Sequence, residues 1–133
     1  MNIFNRMTLT SLTLIIMSAN VMAEWIPVTE NARQTMTVYA DTSTIRTNNN
    51  KVRMWILKDF KDVQSIAGIN YLSSITQHEY DCKEEQIQML ATSSFENNMG
   101  GGKVIITSST PFTPRPITPD SVDKIQWEVA CDK

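Results

Sequence analysis

Apolar and polar residues alternate through most of the chain, in short runs broken by Asn, Gly and Asp. A period of two is the signature of strands with one face buried. It predicts strands over residues 24–28, 35–40, 51–60, 71–82, 86–95 and 103–107. The run at 51–60 is the strongest. Val52, Met54 and Ile56 fall on one face, Trp55 and Leu57 on the other. Apolar side chains on both faces make this a central strand, covered on both sides. Pro27 lacks an amide donor and places the first strand at an edge. Residues 31–33, 41–44, 48–50, 83–85 and 97–102 read as turns, because Asn, Asp and Gly tolerate or stabilise turn backbone. Ile45 stands alone after the second of these. The polar residues 61–70, which include Gly68, read as a longer connection.

The period changes near the end. Residues 110–119 hold all but one of the prolines and read as an extended loop. A helix should follow. Thr118 can cap it, Pro119 suits its first position, and Asp120 complements its positive end. Val122, Ile125 and Val129 share a face, with Trp127 beside it and Cys131 at the end. A helix with one apolar face must lie on something, and the sheet is the available surface. The expected class is α+β, mainly β: an antiparallel meander of about six strands with one C-terminal helix across a face.

The first 23 residues follow another logic. Arg6 is the one charged side chain, residues 7–17 are uncharged and largely apolar, and Val21-Met22-Ala23 follows. That order is a signal peptide cleaved after Ala23. The apolar run is shorter than the ~18–20 residues that span a bilayer. No later stretch is apolar enough to cross one, and no cysteine follows the run to carry a lipid. Residues 1–23 are therefore expected to be removed, leaving 24–133 as a single domain. Cys82 and Cys131 are the only cysteines. In an exported chain, such a pair is expected to form one disulfide, here fixing the helix to the sheet.

Charge narrows the partners. The whole chain carries a formal −2, and loss of Arg6 makes the mature chain one unit more negative. The charges are scattered, with no basic patch for nucleic acid. Candidate chemistry is sparse. Gly100-Gly101-Gly102-Lys103 lacks the spacing and the following helix of a phosphate loop and reads as a hairpin turn. His78, the one histidine, reads as a strand residue, and a lone imidazole without other donors implies no metal site. Asp41, Asp59 and Asp81 each close an apparent strand, which is turn chemistry. A catalytic reading would need His78 to gather with two of them. Trp25, Trp55 and Trp127 read as core rather than as a stacking platform. No catalytic residue, metal ligand or cofactor is assigned. Binding candidates are an edge strand, which is a template for another chain or a second copy, and Phe112 with Arg115 in the proline-rich loop.

The ordered landmarks resemble the surface-adhesin protein E domain of Gram-negative bacteria. They begin with Trp25, Val28, Val38-Tyr39-Ala40-Asp41 and Ile45. Val52-Arg53-Met54-Trp55-Ile56-Leu57, Asp59-Phe60 and Tyr71-Leu72-Ser73-Ser74 follow. The most specific part pairs Glu79-Tyr80-Asp81-Cys82 with Trp127 and Ala130-Cys131; Gly102, Pro116-Ile117, Pro119 and Ser121 lie between. The resemblance implies an antiparallel sheet with a C-terminal helix tied to it by a disulfide. It also implies a protein that adheres to host matrix and plasma proteins. With no catalytic set among the residues, the expectation is a non-enzymatic module whose partner is a host matrix protein or an envelope protein, and the edge strand makes a homodimer a further expectation. The alternative is a periplasmic structural or assembly protein of the envelope with no host ligand. Without a lipid-bearing cysteine at the cleavage point, the periplasm is the expected compartment and the cell surface or outer membrane the alternative.

Overall fold

The computed structural model describes residues 23–133. All but Ala23 of the expected signal segment lies outside the described residues. Seven strands form one antiparallel sheet: β1 (Ile26–Glu30), β2 (Met36–Asn48), β3 (Lys51–Ile66), β4 (Ile69–Asp81), β5 (Gln86–Phe95), β6 (Val104–Ser108) and β7 (Arg115–Pro116). The first six run in chain order across the sheet, because each is joined to the next by a reversal. The short β7 pairs with the far end of β5. One helix, α1 (Val122–Cys131), closes the chain. The expected meander with a C-terminal helix is present, β3 is interior and β1 is an edge, as Pro27 requires.

Three strands, β2, β3 and β4, extend beyond what the polarity pattern indicates. The cluster at 41–44 is not a turn but a bulge within β2, where residues 42–45 lie opposite Met54 alone. Its polar side chains replace missing ladder bonds. The Asp41 carboxylate accepts from the Ser43 amide at 3.1 Å. Thr44 Oγ1 donates to the Asp41 carbonyl and accepts the Trp55 amide at 3.0 Å. The second case is the supposed connection at 61–70. It is a two-stranded projection of β3 and β4, turned by Ala67 (φ 50°) and Gly68 (φ 79°) with Ile66 opposite Ile69. Two consecutive left-handed residues make the twist of a tight hairpin. The projection is almost wholly exposed, so nothing imposed an apolar alternation on it.

The helix starts three residues later than Thr118 would allow. Ser121 is the cap, with its Oγ accepting from the Lys124 amide at 3.2 Å. Asp120, at φ 58°, breaks the backbone just before it. Asp123 is therefore the acid in the first turn. The buried face is also rotated. Gln126, Trp127 and Ala130 are buried, whereas Ile125 is 37% exposed. Trp127 sets this orientation by donating its indole N–H to the Asp81 carbonyl at 2.9 Å.

The core lies between α1 and one sheet face, built from Ala40, Val52, Met54, Ile56, Tyr80, Ile87, Ile117, Trp127 and Ala130. The Cys82–Cys131 disulfide joins the end of β4 to the end of α1, with Cα atoms 5.7 Å apart. On the opposite face Leu57 is fully buried, beneath the single turn at Asn98–Gly100. That turn approaches so closely that a Cβ on Gly100 would lie 2.9 Å from Ile75 Cδ1.

Candidate functional site

The proline-rich loop is held over the helix-covered face at several points. Arg115 and Pro116 pair with Ile87 and Gln86. The Phe112 amide donates to the Met89 carbonyl at 2.9 Å, and the Phe112 carbonyl accepts from Gln88 Nε2 at 2.9 Å. Ile117 is buried and its amide donates to the Glu85 carbonyl at 3.0 Å. These anchors leave Phe112 58% exposed. Arg115 Nη2 donates to Asp123 Oδ2 at 2.6 Å, tying the loop to the first turn of α1.

Beneath the loop is a cavity of about 260 Å³. Phe112, Thr113 and Arg115 form one side, with Lys58, His78, Ile87 and Met89 on the other. The structure thus brings both loop candidates, Phe112 and Arg115, together with His78. It adds Lys58, which no motif or charge cluster marks. Its signal was visible: Lys58 follows Val52, Met54 and Ile56 at the same period and breaks their alternation. Burial lowers the Lys58 pKa from its usual value, partly offset by the Asp123 carboxylate; Arg115 adds to the lowering.

His78 is buried in a polar network behind this cavity. Tyr80 O–H donates to Gln126 Oε1 at 2.9 Å, and His78 Nδ1 lies 3.2 Å from the same oxygen. With Nδ1 protonated, both groups donate to one amide oxygen. Burial, and secondarily the positive charge of Lys58, push the His78 pKa down to about 4. Burial likewise raises the Tyr80 pKa. The other end of the amide, Gln126 Nε2, is buried without a hydrogen-bond partner among the described residues.

The three strand-end aspartates do not join His78. Met54 pairs with His78 on the helix-covered face, whereas Asp41, Asp59 and Asp81 start from the alternate positions. Asp59 accepts from Asn98 Nδ2 at 3.0 Å and the Met99 amide at 2.8 Å, holding the covering turn. Asp81 Oδ1 accepts from the amides of Lys83 and Glu84 at 3.0 and 2.9 Å. Trp55 and Trp127 occupy opposite faces, with Trp127 in the core. A wider cavity of about 730 Å³ lies between the β2–β3 and β4–β5 turns. It is a solvated charged surface in which Glu79 pairs with Arg53 at 2.9 Å and Lys51 at 3.8 Å. No helix among the described residues is long and apolar enough to cross a membrane.

The sheet has two outer edges of different character. β1 carries Pro27 and a bulge between Pro27 and Thr29. β6 also carries a bulge, between Val104 and Ile106, but has neither proline nor charged side chain, and its Val104 is 54% exposed.

The sequence profile of the family described as surface-adhesin protein E matches residues 25–132. No curated protein matches the chain significantly. Among solved structures, crystal form II of Haemophilus influenzae protein E superposes with a TM-score of 0.64 at 14% identity, covering 85% of this chain and 91% of that one. Protein E from non-typeable Haemophilus influenzae gives 0.54 at 15% identity, covering 86% and 79%. At such identity these likenesses establish the fold alone.

Proposed function

Because this chain belongs to the surface-adhesin protein E family, we propose that it is an exported, non-catalytic module that binds another protein through the open edge of β6. In this reading residues 1–23 are a signal peptide cut after Ala23, and 24–133 are the working domain. The single observation that carries it is the bare outer edge of β6, with Val104 exposed on it. Unpaired strand N–H and C=O groups are a template for a partner strand, including one from a second copy. Both edges are bulged, and what sets the other one apart is Pro27, which has no amide to donate. The test is capture of matrix proteins and envelope extracts by the purified mature chain. Val104→Lys, which puts a charge on the edge, should abolish capture without lowering stability. Absence of any partner, or capture indifferent to that charge, removes the reading.

A periplasmic structural or assembly role is favoured by one feature of the leader: no cysteine stands at its expected cleavage point to carry a lipid anchor. Protease added to whole cells separates the two. Cleavage of the chain supports surface display and adhesion; protection supports the periplasmic role.

A further inference from the structure

The cavity under the proline-rich loop holds an unmatched charge. Lys58 projects from β3 on the helix-covered face, in line with Val52, Met54 and Ile56. It is partly buried, and among the described residues its ammonium has no ion pair. The neighbouring Arg115 is already engaged by Asp123. Two cations and one carboxylate therefore leave one positive charge over. His78, with its depressed pKa, is neutral near pH 7 and adds none. The rest of the wall is apolar: Ile87, Met89 and the ring of Phe112. Phe112 is more than half exposed although its backbone is fixed on both sides.

We propose that this cavity binds a compact monocarboxylate with an apolar body. The carboxylate meets Lys58, and the body lies against Ile87, Met89 and Phe112. A half-buried cation without a partner is costly, and one bound anion offsets that cost. A single surplus charge selects a monoanion over a dianion or a cation. The volume, about 260 Å³, is just below the usual range for ligand pockets of roughly 300–1,000 Å³. It therefore suits a small acid and excludes a polycyclic one. The same chemistry occurs in a free short-chain acid and in the C-terminus of a peptide ending in an apolar residue. This site is separate from the β6 edge and stands whether or not that edge binds a protein.

Calorimetric titration of the mature protein tests it, with hexanoate and with a short peptide ending in leucine as probes. Hexanol and the amidated peptide are the controls, and the Met89 methyl NMR signal is the local readout. Saturable binding of either acid, with a shift of the Met89 signal, is expected. The controls should bind roughly ten- to a hundredfold more weakly, as loss of one charge-assisted hydrogen bond implies. The tighter of the two acids identifies the source. Lys58→Met keeps the stem and removes the charge, and should weaken binding by a similar factor. Phe112→Ala, at an exposed position that cannot unfold the core, should weaken it too. No saturable binding of either acid, equal binding of acid and control, or unchanged binding by Lys58→Met overturns the proposal.

Discussion

The indole N–H of Trp127 donates to the carbonyl of Asp81, 2.9 Å away and one residue before Cys82. The helix is thus fastened to the end of β4 twice, by this hydrogen bond and by the Cys82–Cys131 disulfide. The cysteines are 49 residues apart, and a loop of that length predicts about 4 kcal/mol of stabilisation through the unfolded chain. The double variant Cys82→Ser, Cys131→Ser should lose about that much in urea denaturation. Trp127→Phe keeps most of the buried ring and should cost about 1 kcal/mol for the lost bond, beyond the change in volume.

His78 makes the fold acid-sensitive. Its folded pKa of about 4 lies below the ordinary 6.5, so the unfolded chain takes up a proton first as pH falls. Stability from this group is full above pH 6.5 and is lost as pH drops towards 4. The loss is on the order of 3 kcal/mol. Lys58 and Arg115 deepen it by repelling the imidazolium, and Asp123 opposes them. Denaturation midpoints measured between pH 7 and 4 should fall steeply in the native protein. They should fall less in His78→Gln.

Two glycines with similar backbone angles should respond differently to alanine. Gly68 (φ 79°) is at the tip of the exposed β3–β4 hairpin, and an added Cβ meets nothing within 4 Å. Gly68→Ala should cost about 1 kcal/mol, the backbone penalty alone. Gly100 (φ 71°) adds a contact of 2.9 Å with Ile75 Cδ1. Gly100→Ala should cost somewhat more, roughly 1–2 kcal/mol, since the terminal methyl of Ile75 must also swing aside. Thermal melts of the two variants side by side would show whether the covering turn is as tightly seated as its geometry indicates.

Most of the sheet was legible because its strands are half-buried, which writes a period of two into residues such as Val52, Met54 and Ile56. The strand at 86–95 was readable to its ends. Extent was lost where burial stops. The hairpin at 61–70 faces water, and the Asp41 cluster looks like a turn because bulges and turns use the same side chains. The helix cap was misplaced because Thr118 and Ser121 are both capping residues, and only the left-handed Asp120 between them decides. Phe112 and Arg115 could be named from the loop, but their cavity could not. It exists because the sheet brings Lys58, His78 and Ile87 under that loop from three strands.

The buried amide of Gln126 offers the sharpest test of the core. Its oxygen accepts from Tyr80 and His78, while Nε2 has no partner among the described residues. Gln126→Met removes the unpaired nitrogen but takes the 2.9 Å acceptor from the Tyr80 hydroxyl, leaving it only the longer contact with His78 Nδ1 at 3.3 Å, and a weakened buried hydrogen bond costs about 1 kcal/mol or more. Gln126→Met alone should therefore destabilise. Tyr80→Phe alone frees the amide oxygen of one donor but leaves His78 as the other, so its cost should be smaller. In the double variant the hydroxyl and its acceptor disappear together, and part of the loss should return. A double-mutant cycle by chemical denaturation should give a coupling of about 1 kcal/mol or more between the two positions. Additive effects would mean that the Tyr80–Gln126 bond contributes little and that Gln126 is held by packing.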